Sequence, residues 1–465
     1  MIRAVLVLTL VAGLGLGLGL YVTAGRAAGP IITIEAPTSL VGRESTFAAT
    51  IEAPDNALNA VNAVIEQDGR RYTLFSLDQP GDGQMSQAGA DRVRVRRQFD
   101  RRSHPNLVAG EARILVTATR PVFFGWREVA SEAEAVVEVR LDPPRIEVRS
   151  DFHYVNHGGS ELVVYRVTPS DAESAVRVGD RFYPGYPVSS VGADSPADAS
   201  LRMAFFALSY DQDLGTPVEI VATDAAGNEG TASFDYRVFP RDFRRSEIPL
   251  SDGFLRRVVP AIVDRAPELA DERLEQDTAV AELVDLYLFI NGPLRESNRA
   301  KVAALADLTS EQMLWDGAFR QLANTAVQSG FADHRTYVHD GDDIDQQVHL
   351  GFDLASTANA AVRAANGGTV LFAEYLGIFG NCVVVDHGMG LQSLYAHLSS
   401  INVSVGESVE SDSVLGQSGQ TGLAGGDHLH FAMLLQGRPV TPVEWWDPHW
   451  IEDRIIRKLR PQGAE

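Results

Sequence analysis

One cysteine, Cys382, in a chain of 465 residues rules out an intrachain disulfide. Its neighbours in Asn381-Cys-Val-Val-Val385 read as a buried strand, so the thiol is structural rather than nucleophilic. Basic charge is also in short supply. Lys and Arg number 40 against 62 Asp and Glu, a net charge of −22. That balance excludes the basic footprint of a nucleic-acid binder. The glycine-rich run Gly416–Gly426 lacks the Lys-Ser/Thr pair of a phosphate-cradling loop, and reads instead as tight backbone leading to His428. The acidic cluster Asp340, Asp342, Asp343 and Asp345 lacks calcium-loop spacing and reads as a solvated hairpin.

What is present describes a folded, multidomain protein: 45% hydrophobic and 22% charged residues over a length too great for one core. Residues 1–28 hold an apolar run from Ala4 to Ala24 between Arg3 and Arg26. About 20 such residues suffice to cross a bilayer, against about 7–15 in a signal-peptide apolar region. The run reads as an uncleaved inner-membrane anchor with the remainder exported, a cleaved signal being the rival. Residues 30–142 and 143–240 show short β-branched runs divided by Pro, Gly, Asn and Asp, the pattern of two β-sandwich modules. The turn Asp224-Ala-Ala-Gly-Asn228 resembles the last hairpin of immunoglobulin-like modules, although no Cys–Trp–Cys framework is present. These modules read as spacers, with an envelope protein as the alternative partner.

Residues 241–330 change to a helical period and read as a small connector of three or four helices, one of them following Thr309-Ser310. A second role for the connector is to cover a cleft, with Asn291, Asn298 or Asn324 entering it. Residues 331–448 carry the chemistry, and residues 449–465 form a basic tail suited to an acidic protein surface or an anionic envelope polymer.

Eight of the 11 histidines fall between Phe331 and Trp450. His334, His339, His387 and His449 read as ordinary core or surface residues. The other four lie in three short patches. In a strand, His349, Gly351 and Asp353 share one face, with the glycine leaving room between the two side chains. His428 and His430 likewise share a face, while Leu429 and Phe431 point into apolar packing. Imidazoles and a carboxylate converging in this way make a zinc site with one position left for water. A purely structural site would ordinarily close with four protein ligands.

The H-E-x-x-H helix of common zinc proteases is absent. His349-Leu-Gly-Phe-Asp353, Tyr395-Ala-His397-Leu and Gly426-Asp-His428-Leu-His430-Phe, in that order, resemble the LytM/lysostaphin-type zinc metallopeptidases, over roughly residues 335–445. The resemblance implies a duplicated-hybrid-motif, strand-rich domain with a narrow groove floored by the metal. It assigns His349, Asp353 and His430 to Zn²⁺, and His397 and His428 to catalysis. The expected chain is therefore mainly β: a membrane helix, two immunoglobulin-like modules, a helical connector and a LytM-type catalytic domain. Its expected activity is hydrolysis of the peptide part of bacterial peptidoglycan, at the stem peptide or the cross-bridge. The rivals are a non-enzymatic zinc-binding regulator of other wall hydrolases, and an exported protease of protein substrates. Retention of both His397 and His428 favours the enzyme.

Overall fold

The computed structural model describes residues 2–24, 26–193, 195–275 and 277–460, so residues 461–465 of the expected basic tail lie outside the described residues. The chain divides into two units. One runs to Pro144 and takes in Asp171–Glu173 and Thr223–Gly230; the other holds Arg145–Ser170, Ser174–Ala222 and everything from Thr231 onward.

In the first unit, the apolar run forms the helix Ile2–Ala24, whose side chains are described from Val7 to Thr23; that of Arg3 lies outside the described residues. Among the described residues, no helix is long and apolar enough to cross a membrane, so the expected span is not an observed element. The β part stacks a four-stranded sheet on a five-stranded one. Alternating side chains such as Phe47, Ile51, Val61, Ile65, Ile114 and Val116 fill one shared core between them.

The second unit begins with two four-stranded sheets and a short parallel pair, His153–Asn156 with Tyr236–Phe239. Helices follow at Asp252–Val263, Val280–Phe289 and Arg295–Ala304. Ser251 caps the first, its hydroxyl accepting the Phe254 amide at 3.2 Å. The other two are joined by the wide turn Ile290–Leu294, where Pro293 has no amide hydrogen to offer the preceding turn. They bury Leu255, Val259, Leu283 and Tyr287, with Leu294 of the wide turn, against Tyr337 of a strand and Ile378 of the turn Gly377–Phe379.

The expected helix after Ser310 does not form. Trp315 and Phe319 have helical spacing, but residues 309–323 run irregularly across the molecule. Their backbone is taken up by distant partners: Met313 N–H by Ser190 O, Leu314 N–H by His387 O, Phe319 N–H by Trp445 O. The two rings pack against Trp445, at 5.8 and 5.7 Å between centroids. Thr309 and Ser310 bind the buried Asp386 carboxylate instead of starting a helix. Tertiary contacts override the local period here.

The chemistry-bearing part is an antiparallel sheet. Its strands lie in the order Ala326–Ser329, Phe352–Ala355, Leu429–Leu435, Leu391–Leu398, Gly380–Gly388, Gly368–Leu376 and Ser408–Val409. Leu391–Leu398 and Leu429–Leu435 are buried at every position, as a central strand covered on both faces requires. A second, three-stranded sheet places Arg245–Pro249 parallel to Asp333–His339, which pairs in turn with Asp342–His349.

Candidate metal centre

Two strand ends and one cross-strand pair build the site. His349 closes the strand Asp342–His349; the chain turns through Leu350 and Gly351, and Asp353 then enters the large sheet directly opposite His430. The turn demands glycine. A Cβ on Gly351 would lie 2.7 Å from the His430 ring and 2.7 Å from the Phe431 carbonyl. Leu429 and Phe431 face the other way, Phe431 against Tyr395 and Trp446, which fixes the strand's register and hence the histidine.

His349 Nε2, His430 Nδ1 and Asp353 Oδ1 meet at mutual distances of 2.9, 3.0 and 3.0 Å. His349 Nδ1 bonds the Gly330 carbonyl at 2.9 Å, which fixes the ring and turns Nε2 toward Asp353 and His430. Burial pushes His430 down to about 4, toward its neutral form. Burial alone would raise Asp353, but His349 and hydrogen bonds from His349, His428 and His430 hold it well below the usual carboxylate range. Two ring nitrogens and a carboxylate oxygen therefore converge on one point. This donor set fits a divalent cation of the zinc kind, with three protein ligands.

Two further imidazoles stand beside the cluster. His397 is buried in the left-handed region at φ 65°, unusual for a residue with a side chain. Its Nδ1 bonds the Thr421 carbonyl at 2.8 Å, turning Nε2 inward. His428 does the same through Gly426 O at 2.8 Å, and its Nε2 lies 3.5 Å from Asp353 Oδ1. The rings of His397 and His428 are 4.9 Å apart. Burial, then His428 and His430, push His397 well down, whereas for His428 the attraction of Asp353 outweighs burial and raises it.

All five residues expected at the site are thus gathered together. The three asparagines are not. Asn291 bonds Asp345 and Arg295, Asn298 holds the Ile378 amide, and the Asn324 carbonyl accepts from Ser356. The cluster floors a cleft of about 600 Å³, and the helical segment supplies part of its wall through Phe254, Arg257, Tyr287 and Arg295. Trp445 is buried in the core, and the tail packs on its own chain: the Arg454 guanidinium lies 4.5 Å over the Tyr154 ring.

One contributor was not foreseen. Arg335 donates from Nη2 to Asp353 Oδ2 at 2.9 Å, fixing the outer oxygen so that Oδ1 faces the histidines. Asp333, two residues before it, is held by Ser246 and Ser329. Asp333 and Arg335 share one face of a strand, but nothing in that spacing points to Asp353.

A strand-rich fold that gathers two histidines and an aspartate within 3.0 Å defines a candidate metal-site domain. Residues 347–442 match peptidase family M23, and the chain carries an M23 peptidase domain. Among curated relatives it is 38% identical over 97 residues to the DD-carboxypeptidase/endopeptidase Mpg of Neisseria meningitidis serogroup B, 21% of this chain and 22% of that protein. It is 35% identical over 96 residues to the peptidoglycan DD-endopeptidase ShyA of Vibrio cholerae, again 21% of this chain and 22% of that protein. The matches therefore span about a fifth of these relatives' length. A solved peptidase M23 from Pseudomonas aeruginosa aligns over 63% of this chain and 94% of its own, with 19% identity and a TM-score of 0.38.

Proposed function

We propose that the protein is a zinc-dependent endopeptidase of the bacterial cell envelope that hydrolyses peptide bonds of peptidoglycan. The observation that carries this reading is the meeting of His349 Nε2, Asp353 Oδ1 and His430 Nδ1 within 3.0 Å, with two more imidazoles turned toward the same point. His349, Asp353 and His430 would hold Zn²⁺, which supplies a water activated for attack at neutral pH. Arg335 keeps Asp353 oriented. His397 and His428, each anchored through Nδ1 to a backbone carbonyl, present Nε2 to the reacting groups. One accepts a proton and returns it to the leaving amine; the other donates to the oxyanion that develops on the carbonyl. A regulator without turnover has no use for these two anchored rings.

The relatives' names support the substrate class, and an envelope location follows from it. The exposed leucines and valines of the helix Ile2–Ala24 support its use as a membrane tether, and the immunoglobulin-like modules serve as spacers between tether and peptidase. The test is digestion of purified sacculi by the full chain, with bound metal measured in parallel. The wild type is expected to hold about one zinc per chain and to release new free amines. His430→Ala should lose both metal and activity. His397→Ala should keep the metal while the rate falls about 100-fold or more. Wild-type protein that binds zinc yet releases no amine would sink the proposal.

A further inference from the structure

A second hollow, of about 440 Å³, lies on the three-stranded sheet beside the metal cleft and shares Arg335 as a wall. Its other polar lining includes Arg245, Arg299, His334, Gln346 and Gln347, with no aspartate or glutamate. In a chain with 62 acidic residues against 40 basic ones, that is an unusual place. Arg299 is its core. One N–H of this half-buried guanidinium is spent on the Val348 carbonyl at 2.7 Å, out of five that an arginine offers. No carboxylate acts on it among the described residues; burial, then repulsion by Arg295, push it down to about 10. Arg335, by contrast, is matched by Asp353 and Asp333. A guanidinium half withdrawn from water and without an anion is a ready partner for one. Val348, which Arg299 grips, directly precedes the metal-cluster residue His349.

We propose that this hollow is a subsite for a carboxylate of the peptide substrate, gripped by Arg299, with Arg245 and His334 at its rim and the two glutamines as neutral donors. The free edge of a guanidinium matches a planar carboxylate. The inference rests on the peptidase reading, since it takes the ligand to be a wall peptide bound across the neighbouring cleft.

The test is calorimetric binding of a soluble disaccharide–tetrapeptide to the metal-free full chain, against the same molecule with every carboxyl converted to amide. The free acid is expected to bind about tenfold more tightly to the wild type, the value of one charge-assisted contact. Arg299→Ala should bind both forms alike. Arg245→Gln, at an exposed position, should reduce the preference severalfold and carries the test if Arg299→Ala does not fold. Equal binding of acid and amide by the wild type, or an undiminished preference in Arg299→Ala, would overturn the subsite. So would inorganic phosphate displacing the peptide as strongly as the free acid binds, since the hollow would then be a general anion site. Sacculus digestion by the zinc-loaded wild type keeps the two ideas apart. Digestion without carboxylate preference removes the subsite alone; preference without digestion removes the peptidase reading alone.

Discussion

Gly351 shows how much one missing side chain can determine. Its absent Cβ is where the His430 ring passes, 2.7 Å away, so His349, Asp353 and His430 can meet because nothing grows from that backbone position. Gly351→Ala is expected to cost about 1–3 kcal/mol in stability through overpacking. It should also weaken metal binding about tenfold or more, by displacing His430. Denaturant melts and metal titration on the same protein check both. His349, Asp353, His428 and His430 were legible because strand periodicity puts them on shared faces, and His397 through the family resemblance of Tyr395-Ala-His397. Arg335 and Arg299 were not. Each is defined by what it touches across a sheet, Asp353 for one and the Val348 carbonyl for the other, and spacing carries no trace of that.

The hairpin of strands Gly380–Gly388 and Leu391–Leu398 carries His397 at its far end and a buried polar chain at its near end. There His387 gives Nδ1–H to the Gly367 carbonyl at 2.6 Å. Its Nε2 meets Ser393 Oγ at 2.7 Å, and Ser393 meets the Tyr395 hydroxyl at 2.9 Å. Burial pushes His387 down to about 4 from an ordinary 6.5. Between those values the unfolded chain binds the proton and the folded one does not, so this contribution is complete above pH 6.5 and is lost as pH falls toward 4. At pH 5 the loss is about 2 kcal/mol. His387→Asn, which keeps a donor for Gly367, removes the titration. The melting-temperature gap between it and wild type should narrow from pH 7 to pH 5. The hairpin itself was readable from Asp386-His387-Gly388-Met389-Gly390 between two apolar runs. The stretch after Ser310 was not, because Trp315 and Phe319 mimic a helix while serving a core on which Trp445 also closes.

Within the second unit, the β module and the peptidase are one body. Asn156 and the Ser160 amide bind Glu444 at 2.7 Å each, Phe205 packs on Trp445, and the strand Arg245–Pro249 pairs with Asp333–His339. Lys458 donates to Glu161 at 2.8 Å, with their side chains 6% and 0% exposed. None of this could be read from the sequence, because the partners stand 288 and 297 residues apart. Removing one member of such a buried pair leaves an uncompensated charge worth about 3–5 kcal/mol, a large part of an ordinary fold's stability of about 5–15 kcal/mol. A chain cut after Asp447 is therefore expected to leave the β module protease-sensitive, and proteolysis of the shortened and full-length proteins checks it. The same ion pair also closes a loop: Glu161 and Lys458 stand 297 residues apart, so their contact ties the β module to the segment that follows the peptidase sheet.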